Sequence, residues 1–150
     1  MDATGIRQRR LGTSPGFDGV PVPSPDGRRI AFQRGTPDST GNALHWDLYL
    51  VVTLGPNQRR LTSNRWNSQV PCCMPGGDEI VFYANRAGRN QLFMMTVAIG
   101  AMRPLHSSGA NDTAPAVTPD GQTVAFNSDR DGRGDLYLLE LPSGTVRRLT

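Results

Sequence analysis

The chain has 150 residues, enough for one domain around one core, and 37% of it is hydrophobic against 19% charged, a globular rather than a disordered balance. Sixteen arginines, no lysine and thirteen acidic residues leave a net charge of +3, scattered along the chain instead of forming the dense basic stripe that nucleic-acid binding requires. No segment approaches the 18 continuous apolar residues of a membrane span, and the first twenty residues lack the apolar core of a signal peptide.

Seventeen glycines and twelve prolines predict many short elements divided by turns. Residues 1–13 contain IRQRRLGT (Ile6–Thr13), which reads as the closing strand of a unit or as a linker. A first full unit, residues 14–62, opens with a short extended piece after Pro21, followed by Ser24-Pro25-Asp26-Gly27. Here Pro presets φ, Asp bonds its own backbone and Gly accepts a left-handed exit, which together specify a hairpin turn. Ile30-Ala31-Phe32 is apolar on both faces, as in a strand covered from both sides. A loop is expected over Gly35–Trp46, then a third strand at Asp47-Leu48-Tyr49-Leu50, then a polar fourth strand ending Arg59-Arg60-Leu61-Thr62. The second unit, 63–106, repeats the plan with Met74-Pro75-Gly76-Gly77, Ile80-Val81-Phe82, a loop over Ala84–Asn90, Gln91-Leu92-Phe93-Met94 and Pro104-Leu105-His106. The third, 107–150, has Thr118-Pro119-Asp120-Gly121, Val124-Ala125-Phe126, a loop over Ser128–Gly134, Asp135-Leu136-Tyr137-Leu138 and Arg147-Arg148-Leu149-Thr150.

Two leucine ladders set the period. Leu48, Leu92 and Leu136 are 44 residues apart, and so are Leu61, Leu105 and Leu149. Pro25 to Pro75 is 50, so six extra residues lie between Phe32 and Leu48. An insertion confined to one loop is what a repeat architecture predicts. Four short antiparallel strands per unit, with no sustained helical period, specify an all-β β-propeller of three four-stranded blades in preference to a sandwich, which needs no such repetition.

The string S-P-D-G-x-x-I-A-F, then D-L-Y-L, then R-R-L-T resembles the WD-like repeat of TolB-like β-propellers, over residues 21–150. The same repeat forms gating propellers in prolyl-oligopeptidase-like peptidases. The resemblance implies a six-bladed ring of which these three blades are half, a non-enzymatic protein- or peptide-binding scaffold, and the bacterial periplasm. Three blades cannot close on themselves and leave two faces bare. The expected remedies are a second copy related by twofold symmetry, giving a homodimeric ring, or the remainder of a longer array. The alternative function is a detached gating or substrate-funnel propeller of a hydrolase, and a third reading is a bare structural module.

Loops between blades, and loops between the second and third strands, are expected on one functional face. There Trp46, Arg65, Trp66 and His45 are the candidate partner-binding residues, since Trp and Arg dominate interface hot spots. Against this, Trp46 suits packing at the head of its strand and Trp66 suits covering a blade edge. His45 and His106 are the only histidines, in different blades and without an Asp or Cys at ligand spacing, so no metal is expected. Asp129–Asp135 lacks the EF-hand pattern and reads as a solvated loop. Cys72 and Cys73 fall on the innermost strand of the second blade and are predicted to fill its crowded centre without a disulfide. No nucleophile elbow is present, and neither a catalytic residue nor a cofactor is expected.

Overall fold

The computed structural model describes residues 10–11, 16–41, 43–55 and 57–150. Of the expected leftover strand at 6–13, only Arg10 and Leu11 fall among these, and they lie in no strand; the rest is outside the described residues. Among the described residues twelve strands form three sheets. The first holds β1 (Phe17–Pro23), β2 (Arg29–Pro37), β3 (Leu44–Val52) and β4 (Gln58–Arg60). The second holds β5 (Ser68–Cys73), β6 (Glu79–Arg86), β7 (Arg89–Thr96) and β8 (Met102–Pro104). The third holds β9 (Asp112–Val117), β10 (Thr123–Ser128), β11 (Asp135–Glu140) and β12 (Val146–Arg148). Each sheet is antiparallel with strands side by side in chain order, so each is a meander blade.

The β1–β2 turn follows its sequence logic. Gly27 has φ 67°, its N–H bonds the Ser24 carbonyl at 2.8 Å, and Asp26 accepts from the Arg28 N–H at 3.0 Å. Gly77 and Gly121 repeat the left-handed exit at 77° and 69°.

Two expectations are corrected. The innermost strands begin ahead of their prolines, not after them. Pro21, Pro71 and Pro115 each follow a residue with positive φ (Val20 48°, Val70 50°, Ala114 49°), where the ladder register shifts. Proline has no N–H for the ladder, and a bulge is where a strand tolerates that. The second correction concerns the strand 2–3 connections. Gly35–Trp46 is mostly ladder, with Gly35 opposite Trp46 and Pro37 opposite Leu44. Ala84–Asn90 is likewise ladder closed by the two-residue turn Ala87-Gly88, with φ of 54° and 81°. That pair of left-handed residues makes the hairpin twist match its strands.

The blades stack face to face. One face of each strand pair points back to the preceding blade and the other forward to the next. Leu48 of the first blade packs with Ile80, Phe82, Phe93 and Met95 of the second. Val81, Leu92 and Met94, on the opposite face of the second blade, pack with Val124, Phe126, Tyr137 and Leu139 of the third. The middle blade is therefore apolar on both faces because both are covered.

Candidate functional site

The repeated ending Arg-Arg-Leu-Thr has a chemical meaning in three dimensions. Its Thr caps the third strand: Thr62 Oγ1 accepts the Leu48 N–H at 2.9 Å, and Thr150 Oγ1 accepts the Leu136 N–H at 3.0 Å. Its second Arg pairs with the Asp that opens the third strand, Arg60 with Asp47 at 2.5 Å and Arg148 with Asp135 at 2.7 Å. Its first Arg, on the opposite side of the strand, is free to reach the next blade. Arg59 donates to the Val97 carbonyl and, at 3.3 Å, to the Ala98 carbonyl in the second blade.

The inter-blade loops and the strand 2–3 turns do meet at one end of the molecule. Asn67 Oδ1 accepts the Trp46 N–H at 2.9 Å while the Asn67 carbonyl accepts the Asn85 N–H at 3.1 Å. Forty-four residues on, Asn111 Oδ1 accepts the Asn90 N–H at 3.1 Å and its carbonyl accepts the Asp129 N–H at 3.4 Å. Each Asn ties the blade before it to the blade that follows. Asn67 and Asn111 are 44 residues apart, so the repeat carries this pair as it carries the leucines.

Of the four candidate rim residues, only Arg65 is exposed, and it makes no hydrogen bond or ion pair among the described residues. Trp66 is half-buried, stacked on Phe93 at 5.6 Å with the Arg86 guanidinium 5.0 Å above it, and it closes the seam between the first two blades. Trp46 is half-buried with its ring against Gly35, where an added Cβ would meet ring atoms at 3.0 Å. His45 lies 3.5 Å from Asp47, which is 2% exposed. Of the four, Trp66 belongs to the seam, His45 lies on the opposite face of β3 from Leu48, and Arg65 alone is exposed.

The histidines are not without acidic neighbours, as their spacing suggested; folding supplies them. His106 Nε2 lies 3.3 Å from the Asp112 carboxylate, out of line for a hydrogen bond. Asp112 is 1% exposed and takes Arg130 at 3.2 Å and the Ser108 hydroxyl. Burial pushes the His106 imidazole below its ordinary value, Asp112 acting in the opposite sense. Ser108 bonds the carboxylate and not the imidazole, so the three do not form a nucleophile–base relay. Among the described residues no three His, Cys, Asp or Glu side chains converge as metal ligands. Within 129–135, the Asp129 carboxylate is taken by Asn111 at 2.8 Å, Asp131 by the Tyr137 hydroxyl and Asp135 by Arg148, while residues 131–134 are exposed.

Arginines crown the aromatic pairs facing each preceding blade. Arg34 lies over Phe32 and Tyr49 at 5.2 and 4.6 Å while forming a two-pronged pair with Asp18 at 2.5 and 2.7 Å. Arg130 repeats this over Phe126 and Tyr137 at 5.3 and 4.5 Å, held by Asp112. Trp66 takes that place in the second blade. Cys72 and Cys73 lie on β5, at the blade-to-blade contact. Cys72 Sγ accepts the Val117 N–H at 3.4 Å, and burial raises the Cys73 thiol, which leaves it a poor nucleophile.

The two ends of the array differ from its seams. In front of the first blade is a groove of about 390 Å³, lined among others by Ile30, Phe32, Val51 and Leu11, with the Gln58 amide donating to the Leu11 carbonyl at 3.1 Å. Behind the third blade, Leu136 is 40% and Leu149 53% exposed, whereas Leu48 and Leu92 at the repeat positions of Leu136 are 0% exposed.

Residues 47–150 match PD40, the TolB beta propeller domain. The structure is similar to TolB from Acinetobacter baumannii, with a TM-score of 0.81 and 24% identity, over 99% of this chain and 36% of that one. It also resembles the β-propeller domain of the Trilobed protease from Pyrococcus furiosus (TM-score 0.68, 13% identity, 89% of this chain and 42% of that one). A third likeness is to a puromycin-hydrolyzing peptidase of Mycobacterium tuberculosis (TM-score 0.67, 17% identity, 90% of this chain and 23% of that one). At these identities the likeness is one of fold, and the chain spans about a third of the Acinetobacter protein.

Proposed function

Since the chain belongs to the TolB beta propeller domain family, we propose that it is a non-enzymatic β-propeller scaffold for protein association, in which two copies complete a six-bladed ring. The observation that carries this reading is Leu136. It holds the position of two fully buried leucines yet is 40% exposed, so the described residues leave this seam face uncovered. Exposed apolar sheet faces of this kind mark association sites. The face around Arg65 and the half-buried Trp46, Trp66 and His45 remains for a protein or peptide partner, with Arg65 the side chain open to contact.

Light scattering tests the ring. A single species near twice 16.3 kDa is expected, and a folded monomer at every concentration would sink the reading. The likeness to peptidase propellers supports a second reading, a gating propeller serving a hydrolase. That reading expects a hydrolase domain encoded in the same gene and no self-association.

A further inference from the structure

Resting on the reading of the Arg65 face as a partner surface, we propose that the rim of the second blade takes a short acidic peptide segment. Its carboxylates pair with Arg65, Arg86 and Arg89.

The second and third blades differ at matching positions in a way that carries this. Near its rim the third blade holds Asp112, Asp129, Asp131 and Asp135. Forty-four residues earlier stand Ser68, Asn85, Ala87 and Gln91, so the second blade has lost all four charges. The two arginines of that stretch, Arg130 and Arg133, are kept as Arg86 and Arg89. Arg65 is added where the third blade has Gly109. The second blade's own acids, Asp78 and Glu79, lie at the start of β6, whereas Arg86 is at its end.

The structure shows the arginines left without counter-charge. In the other blades the arginine above the aromatic pair is neutralised, Arg34 by Asp18 at 2.5 and 2.7 Å and Arg130 by Asp112 at 3.2 Å. Ser68 holds that aspartate's position in the second blade, and its buried hydroxyl has no hydrogen-bond partner among the described residues. Arg86 lies instead 5.0 Å above the Trp66 ring, exposed, with no hydrogen bond or ion pair among the described residues. A guanidinium stacked on a ring keeps its N–H edge for a carboxylate. Arg89 is exposed and spends one donor on the Gly109 carbonyl at the second seam. Arg86 and Arg89 stand opposite each other on the last rung of the β6–β7 ladder. Like charges so placed destabilise a ladder, and a bound carboxylate offsets that. With Arg65 beside Trp66, the three make a basic strip from the first seam toward the second.

The strip is short, which selects the occupant. Asp129, engaged by Asn111, lines the same hollow as Arg89, and Asp131 is exposed beyond it. These acids repel a phosphate backbone that continues past the second blade, while a few carboxylates fit within the strip.

The probe is a fluorescein-labelled octaglutamate peptide, followed by anisotropy at low salt beside octaglutamine and an oligothymidylate of equal charge. Octaglutamate should bind and octaglutamine should not, and salt at about 0.5 M should weaken the binding. Arg86→Gln combined with Arg89→Gln should weaken it at least about 10-fold, while Arg133→Gln, on the rim that keeps its acids, should stay within about 2-fold. Ala87→Asp returns a third-blade acid to a position whose positive φ an Asp tolerates, and should also weaken binding. Unfolding curves matching the parent's establish that each variant is folded. Equal binding of octaglutamate and octaglutamine, binding indifferent to the paired arginine substitution, or tighter binding of the oligothymidylate would overturn the acidic-peptide assignment. Light scattering on the same samples reads the ring separately. A monomer that binds octaglutamate loses the ring and keeps the strip, and a dimer that ignores octaglutamate loses only the strip.

Discussion

The second and third blades are built from nearly the same sentence and live in different surroundings. Leu92 and Leu136 stand 44 residues apart, each in the third strand, each preceding an aromatic residue. Leu92 is fully buried because the third blade lies on it; Leu136 is 40% exposed, with no neighbouring blade among the described residues. On the opposite face the two blades agree. Phe82 and Phe126 are 0% and 1% exposed, and their ring centres lie 5.9 Å from those of Phe93 and Tyr137 respectively. At this position burial is therefore decided by the neighbouring blade and not by the strand. On this face, then, the leucine is buried where the next blade is stacked against it.

Substitutions at paired positions sharpen that contrast. The largest effect belongs to the covered face: Phe82→Ala and Phe126→Ala should each cost about 3–5 kcal/mol in urea unfolding, with similar values for both. A small loss at Phe126 would mean that the second seam is looser than drawn. On the other face the pair should split. Leu92→Ala should lose about 2–5 kcal/mol and Leu136→Ala about 1 or less, in protein dilute enough to be single chains. Equal losses would break the comparison, and a loss at Leu136 that grows with protein concentration would show its face being covered by association.

The strand caps should divide in the same direction. Thr62 is 1% exposed and bonded to both Leu48 and Asp47, so Thr62→Val should cost about 1–3 kcal/mol in the same unfolding assay. Thr150 is exposed, and Thr150→Val should stay within about 0.5 kcal/mol. The smallest effect is a pH slope. His106 takes the place of that Thr in the second blade, and burial holds its imidazole below the ordinary 6.5. The folded state therefore prefers the neutral ring, while the unfolded chain takes up a proton more readily. Stability from this group is complete above pH 6.5 and is lost as the pH falls through that value toward the folded one. Unfolding midpoints collected from pH 8 down to pH 5 should show this decline in the native chain. In His106→Thr the decline should flatten, and an unchanged slope would assign it to other groups.

Much of this architecture is legible in the sequence. Two leucine ladders at one period, and turns whose Pro, Asp and Gly each have a backbone role, established the strands, their number and their grouping. Local chemistry suffices for that, because a hairpin turn and an alternating strand are decided by near neighbours. Strand ends were less legible. Trp46 and Asn85 read as loop because polar and aromatic residues interrupt the apolar run, yet ladder bonds carry both into strands. The bulges at Val20, Val70 and Ala114 were invisible because nothing in a Val or Ala announces a positive φ.

The site divides along the same line. The chain alone determined a repeated blade with Arg-Arg-Leu-Thr at its edge. Only the tertiary structure decided which arginine pairs within its blade and which crosses to the next, because successive side chains on β4 point to opposite faces. It likewise brought Asp112 to His106 and Arg130, residues whose sequence spacing carries no periodic signal. Whether a leucine of the ladder is core or surface was settled last of all, by what is stacked against it.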